Sequence, residues 1–232
     1  MIETYHTIRK SETIYSSGNF PILVECNDLN TWICKHGRTS PRLLFNELIG
    51  SSFAKIWGIP TPDFSLIEVL EEHLPDDTNT VQPLFFKKHC FGSKFINDCQ
   101  VIDDTLIPSL KNVNFRKRIV NKNQFLLICL FDIWLGNEDR APHHSNLILD
   151  YTAGRDLFFT VFDHDALFNQ LSIGQHEMTL LDEECSLITG EMAKILFKHN
   201  INFVYNVNKT VETSIFVLKN VPTIYKCTNL NS

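Results

Sequence analysis

The chain has 232 residues, 44% of them hydrophobic and 21% charged, the proportions of a soluble globular protein. That length holds one large domain or a two-lobed one. The formal charge is −6. With no basic block, this argues against a nucleic-acid-binding surface. The one basic cluster, Lys111, Arg116, Lys117, Arg118 and Lys122, reads as the solvated start of a helix.

Seven cysteines are scattered along the chain with no C-x-x-C spacing. They read as reduced side chains of a cytoplasmic protein. The first residues, MIETYHTIRKSETIY, lack the apolar core of a signal peptide. The longest apolar run, 125–135, is interrupted by Asp132 and is too short to span a bilayer. No membrane association is expected.

In chain order, residues 2–15 predict a strand and Ser16-Ser17-Gly18-Asn19 a turn. PILVEC (21–26), a turn at 27–30 and TWICK (31–35) predict a hairpin. In its return strand Ile33 and Lys35 share one face, and Trp32 and Cys34 the other. A Lys closing an apolar strand faces either a ligand or solvent. Ser40 as a cap, Pro41 at the first position, and Gly58 and Pro60 as stops mark a helix. Within it Glu47 falls beside Leu43, Gly50, Ser51 and Ala54, a face where a carboxylate needs either a partner or a route to water.

Residues 64–70 read as a strand and 71–80 as a polar loop. Residues 82–90, with PLFFKKHC, read as an edge strand, and Gly92-Ser93-Lys94 as a loop. Residues 97–109 are mixed. Residues 114–135 predict one long helix, apolar on nearly all sides in its second half. Asp132 inside it needs a hydrogen-bond partner, and Gly136 is a natural stop. After residue 168 helices are expected over 178–186, 190–198 and 207–219.

Between them lies LFDIWLGNEDRAPHHSNLILDYTAGRDLFFTVFDHDALF, residues 130–168. A helix runs into the polar loop Asn137-Glu138-Asp139-Arg140. An apolar strand (147–149), a turn at Ala153-Gly154 and a second apolar strand (157–162) follow, ending at Asp163-His164-Asp165. Asp139, Asn146 and Asp163 thus sit at the ends of elements that can pair as a hairpin. A carboxylate base beside a divalent metal uses such groups, because Mg²⁺ takes a few protein oxygens and leaves the rest to phosphates and water. His143, His144 and His164 with Asp163 give a weaker zinc alternative, since no H-E-x-x-H or H-x-H spacing is present.

"GNEDR…SN…FDH" resembles the catalytic and metal-binding segments of kinases related to HipA and the phosphoinositide kinases. There an N-x-D-R-H-x-x-N loop precedes a strand ending in Asp. Here Ala141-Pro142-His143-His144-Ser145 lengthens the interval, and Ala141 stands in place of the His. Upstream, a hairpin ending in Lys35, an "R-x-L-x-x-E" run reaching Glu47, and Gly58-Ile59-Pro60-Thr61-Pro62 extend the resemblance over roughly residues 15–170.

The resemblance implies an α+β, two-lobed protein-kinase-like fold. Residues 1–91 would form the small mixed N-terminal lobe and 92–232 the helical C-terminal lobe. ATP and Mg²⁺ would bind between them. Lys35 would orient the phosphates, held by Glu47. Asp139 would be the catalytic Asp, and Asn146 and Asp163 the metal ligands. The adenine-binding hinge would lie near Lys88, His89 and Phe91. The family lacks a strict glycine motif, as this chain does. Ser16 and Ser17 would be candidates for self-phosphorylation. The acceptor would be a protein Ser/Thr or the chain itself, and a separate partner protein would supply what a short family member lacks. Two other readings stay open: a catalytically inactive nucleotide-binding or toxin–antitoxin module on the same fold, and a metal-dependent hydrolase using Asp139, Asp163 and the histidines.

Overall fold

The structure, a computed structural model, describes residues 2–16, 18–37, 40–141, 146–170, 186–197, 205–212, 214–215 and 219. They group into two compact units. One holds residues 1–51, 62–97 and 163–165, and the other 52–61, 98–162 and 166 onward.

The first unit is built on a sheet of strands β1 (Thr4–His6), β2 (Thr13–Ile14), β3 (Ile22–Glu25), β4 (Thr31–Lys35), β5 (Phe64–Glu68) and β6 (Cys90–Lys94), in the order β1-β5-β6-β4-β3-β2. The β3–β4 hairpin places Ile22 opposite Cys34 and Val24 opposite Trp32. These four side chains are buried, with Ile67 and Cys90, in the unit's core. The period of two therefore leaves Ile33 and Lys35 together on the other face of β4. Gly92 sits between Cys34 and Ser65 in β6. A Cβ there would lie 2.4 Å from Ile67 Cγ1, so only glycine lets β6 cross this part of the core.

Two stretches that read as strands in the sequence fold differently. Residues 2–15 form two short strands. Between them Thr7 N donates to Glu68 O, and Ser11 donates through its N to His73 O and through Oγ to Leu23 O. β1 instead runs parallel to β5. Residues 82–90 hold a 3₁₀ turn over Pro83–Phe86 rather than an edge strand. Pro83 cannot donate to a ladder, and Phe86 is drawn into the core at 5% exposure. The strand begins at Cys90 and includes Gly92, Ser93 and Lys94, which read as a loop in the sequence; it lies inside the sheet.

Helix α1 (Pro41–Ile56) starts in the first unit, where Ser40 Oγ accepts from Arg42 N, and its last residues belong to the second. It ends at Gly58, whose φ is +68°. Between Ile56 and that glycine, Trp57 stacks on Trp134 with ring centroids 5.1 Å apart.

The second unit carries β7 (Cys99–Val101), β8 (Leu147–Asp150) and β9 (Phe158–Val161) in an antiparallel sheet. Its helices are α2 (Ile107–Lys111), α3 (Val113–Lys117), α4 (Lys122–Leu135) and α5 (Glu191–Phe197). Residues 205–212 are also helical. The predicted helix over 114–135 is split. Asn121 accepts from Phe159 N and donates to Phe159 O, and Val120 N donates to Leu157 O. The chain at 118–121 thus satisfies β9 instead of a helix. α4 is the central helix, burying Phe125, Leu126, Ile128, Cys129, Phe131, Asp132 and Leu135. The helix expected at 178–185 lies outside the described residues. Among the described residues no helix is long and apolar enough to cross a membrane.

Candidate active site

In the first unit, β4 ends on Lys35 and α1 presents Glu47. Lys35 Nζ donates to Glu47 Oε1 and, at 2.7 Å, to Asp163 Oδ1. Glu47 is 2% exposed, so its charge has to be met locally. Its second oxygen accepts from His164 N at 3.0 Å. The neighbouring Asn46, fully buried, donates through Nδ2 to Asp165 O at 2.7 Å. One turn of α1 therefore grips the backbone of His164 and Asp165, while Lys35 at the end of β4 holds the Asp163 side chain. Asp163 itself is left-handed, with φ +57°, a conformation Asp tolerates but does not favour.

Burial pushes the Glu47 carboxyl up to about 7, against the Lys35 ammonium, and the Asp163 charge adds to the rise. Burial pulls Lys35 down, but Glu47 and Asp163 outweigh it and hold the ammonium well above its ordinary range. Carboxylate oxygens of Glu47, Asp163 and Asp165 all lie within 4.8 Å of one another. Lys35 bonds two of these three, Glu47 and Asp163.

In the second unit, α4 closes on Gly136, left-handed at φ +59°. The loop that follows alternates in burial: Asn137 and Arg140 are fully buried and Asp139 is exposed. Arg140 heads the fully buried side chains by volume. It donates through Nη1 to Asp132 Oδ1, through Nη2 to Phe162 O at 2.8 Å, and through Nε to Asn146 O at 3.4 Å. Asn137 Nδ2 donates to the same Asp132 oxygen at 3.0 Å. Burial lifts the Asp132 carboxyl to about 6, and Arg140 with the Asn137 amide opposes that rise. Asn146, at φ +43°, donates through Nδ2 to Asp139 Oδ2 at 2.7 Å. With the nitrogen committed to Asp139, its amide oxygen is the atom left for a cation.

These residues fall within one family profile: that of the HipA-like kinase matches residues 8–180. The chain belongs to the HipA-like kinase family. Kinase-type phosphoryl transfer is the chemistry of that family. Among solved structures the chain is similar to the Helicobacter pylori proinflammatory kinase CtkA, with TM-score 0.48 and 15% identity, covering 73% of this chain and 63% of that one. It is also similar to WaaP in complex with acyl carrier protein, with TM-score 0.46 and 10% identity, covering 94% of this chain and 90% of that one. The chain thus spans under two thirds of the CtkA chain. No curated protein matches it.

Of the other residues that the HipA-like resemblance singles out, Lys88 and His89 are exposed. They line a cavity of about 640 Å³ whose floor includes Val69, Leu74 and Phe86. Phe91 is buried in β6, registered with Lys35 on one side and Leu66 on the other. Its backbone therefore serves the sheet. Ser16 is exposed. Ser17, His143 and His144 lie outside the described residues. His164 is buried at 1%.

Sequence reasoning missed Asn46 and the role of Arg140. Asn46, between Phe45 and Glu47, carries no local signal of its partner, and Arg140 beside Asp139 gives no local sign of Asp132. The clue was Asp132: a carboxylate on an all-apolar helix needs a cation close by.

Proposed function

We propose that this HipA-like kinase transfers the γ-phosphoryl group of ATP, with Mg²⁺, to a Ser or Thr hydroxyl of a protein, the chain itself included. The observation that carries the proposal is Lys35 held between Glu47 and Asp163. The donor set suits the hard cation: carboxylate oxygens gather in the first unit, and no histidine is among them in the described residues. When bound, the metal–nucleotide supplies the phosphoryl group and neutralises charge that develops as it moves.

The chain's own residues do the rest. Lys35, kept protonated by its two carboxylates, binds phosphate oxygens. Glu47 fixes where the ammonium sits. Asp163 and the Asn146 amide oxygen are assigned to the metal. Asp139, exposed and oriented by the Asn146 amide nitrogen, positions the acceptor hydroxyl and takes its proton. Lys88 and His89, whose side chains are at the surface, remain the proposed adenine contacts, and Phe91 beside them holds β6 within the sheet.

ATP with Mg²⁺ is therefore expected to raise the melting temperature. Saturation at a hundred times Kd corresponds to about 2.7 kcal/mol of added stability. Asp163→Asn is expected to remove the part of that protection that depends on Mg²⁺. ATP giving no protection with or without Mg²⁺ would remove the nucleotide assignment.

A further inference from the structure

Past Asp163-His164-Asp165 the chain does something unusual. Phe168 and Asn169 are both left-handed, with φ +61° and +52°. Asn visits that region at little cost because its short amide bonds locally. A bulky Phe stays there only when its surroundings hold it. Leu167, fully buried, anchors the segment from one side.

From the other side Asn169 is tied to the loop that carries Asp139. Its backbone N donates to Gly136 O at 2.8 Å, and its Nδ2 donates to Glu138 Oε1 at 3.1 Å. Gly136 is shaped to receive it: a Cβ there would lie 3.0 Å from Asn169 Oδ1 and 3.2 Å from Asn169 N. The two residues between Gly136 and Asp139 are thus each pinned, Asn137 by Asp132 and Glu138 by Asn169. Asp139 is left exposed on a loop fixed from both sides.

The geometry points to Asn169 as a positioning residue for phosphoryl transfer: by holding Gly136 and Glu138 it sets the direction of the Asp139 carboxylate. It acts through the loop and touches neither nucleotide nor acceptor. The inference rests on reading Asp139 as the group that orients the acceptor hydroxyl. It also ties the stretch at 167–169 to the loop, through the direct hydrogen bond from Asn169 N to Gly136 O.

The test is a donor–acceptor exchange. Asn169→Asp keeps the shape and the tolerance for positive φ but sets one carboxylate against another at Glu138. Adding Glu138→Gln reverses the polarity of the same hydrogen bond, the new amide donating to the new carboxylate. Two readouts are taken: hydrogen exchange of the peptide over 136–141, and kcat and KM for ATP with a protein acceptor. Asn169→Asp alone is expected to speed exchange over 136–141 and to lower kcat by about 10- to 100-fold, the scale of a small misplacement at the reacting centre. KM for ATP is expected to stay within about twofold of the parent, because the nucleotide contacts are untouched. The double variant is expected to recover both exchange and kcat. Unchanged exchange in Asn169→Asp, or a double variant no better than the single one, overturns the inference. A parent protein that transfers no phosphate would defeat the kinase reading instead, while exchange would still decide the loop's dependence on Asn169.

Discussion

Arg140→Ala is expected to destabilise the protein by about 3–5 kcal/mol at pH 8. Arg140 is fully buried, and Asp132, its partner, is 2% exposed. Deleting the cation leaves a buried carboxylate on α4 facing the Asn137 amide in place of a charge. The acceptors Phe162 O and Asn146 O lose their donor as well. The effect depends on pH with a definite sign. Asp132 already titrates near 6 in the fold, against a usual 3.8. A raised folded value means stability present at low pH and lost as pH rises through that value. Without Arg140, which now opposes the rise, the folded value moves higher still. The destabilisation should then shrink toward pH 5, where the carboxyl is protonated, and be largest at pH 8. Replacing both partners, Asp132→Leu with Arg140→Met, should recover most of the stability, as apolar replacement of buried ion pairs does. It should leave phosphoryl transfer low, because Phe162 and Asn146 are no longer held. Denaturant titration at both pH values checks the first claim. A double variant as active as the parent would show that the latch is dispensable for function.

Lys35→Met is expected to lower kcat by about 10²–10³-fold, the usual cost of one preorganised charge at a site of developing charge. The stability cost should be smaller than for Arg140, for a reason visible in the site. Glu47 already sits near 7 through burial, so it can take up a proton when the ammonium goes. The same linkage holds: the cost is small at pH 6 and grows toward pH 8 as Glu47 is forced to ionise. Glu47→Gln should be milder in stability, since its amide oxygen still accepts from His164 N, and nearly as severe in kcat. Equal kcat in Lys35→Met and the parent would remove Lys35 from the reaction.

The parts legible in the sequence were local. The β3–β4 hairpin shows in PILVEC, its turn and TWICK, and α1 shows in Ser40-Pro41 and Gly58, because caps and period-two alternation act over a few residues. Lys35 and Glu47 were named on an ordered series of motifs, and the fold supplies the contact between them. What was not legible depends on distant partners. No local signal says that Thr4–His6 runs parallel to Phe64–Glu68, nor that Asn121 binds the backbone of β9 and so ends a helix that propensity would continue. Pro83 in PLFFKKHC was the sign that this stretch was no strand. Asn46 and Asn169 were silent for the same reason: a single amide becomes a clamp only when the fold brings a carbonyl or carboxylate to it. Asp132 was half legible, since its need for a partner was visible and the identity of the partner was not.

The central claim is tested by incubating the protein with γ-labelled ATP and Mg²⁺, alone and with candidate acceptor proteins, beside Asp139→Asn and Asp163→Asn. Mass spectrometry then locates the phosphate. The expected result is label on a Ser or Thr with the parent protein and loss of it in both variants. Label that persists undiminished in Asp139→Asn would contradict the assignment of the reaction to this loop.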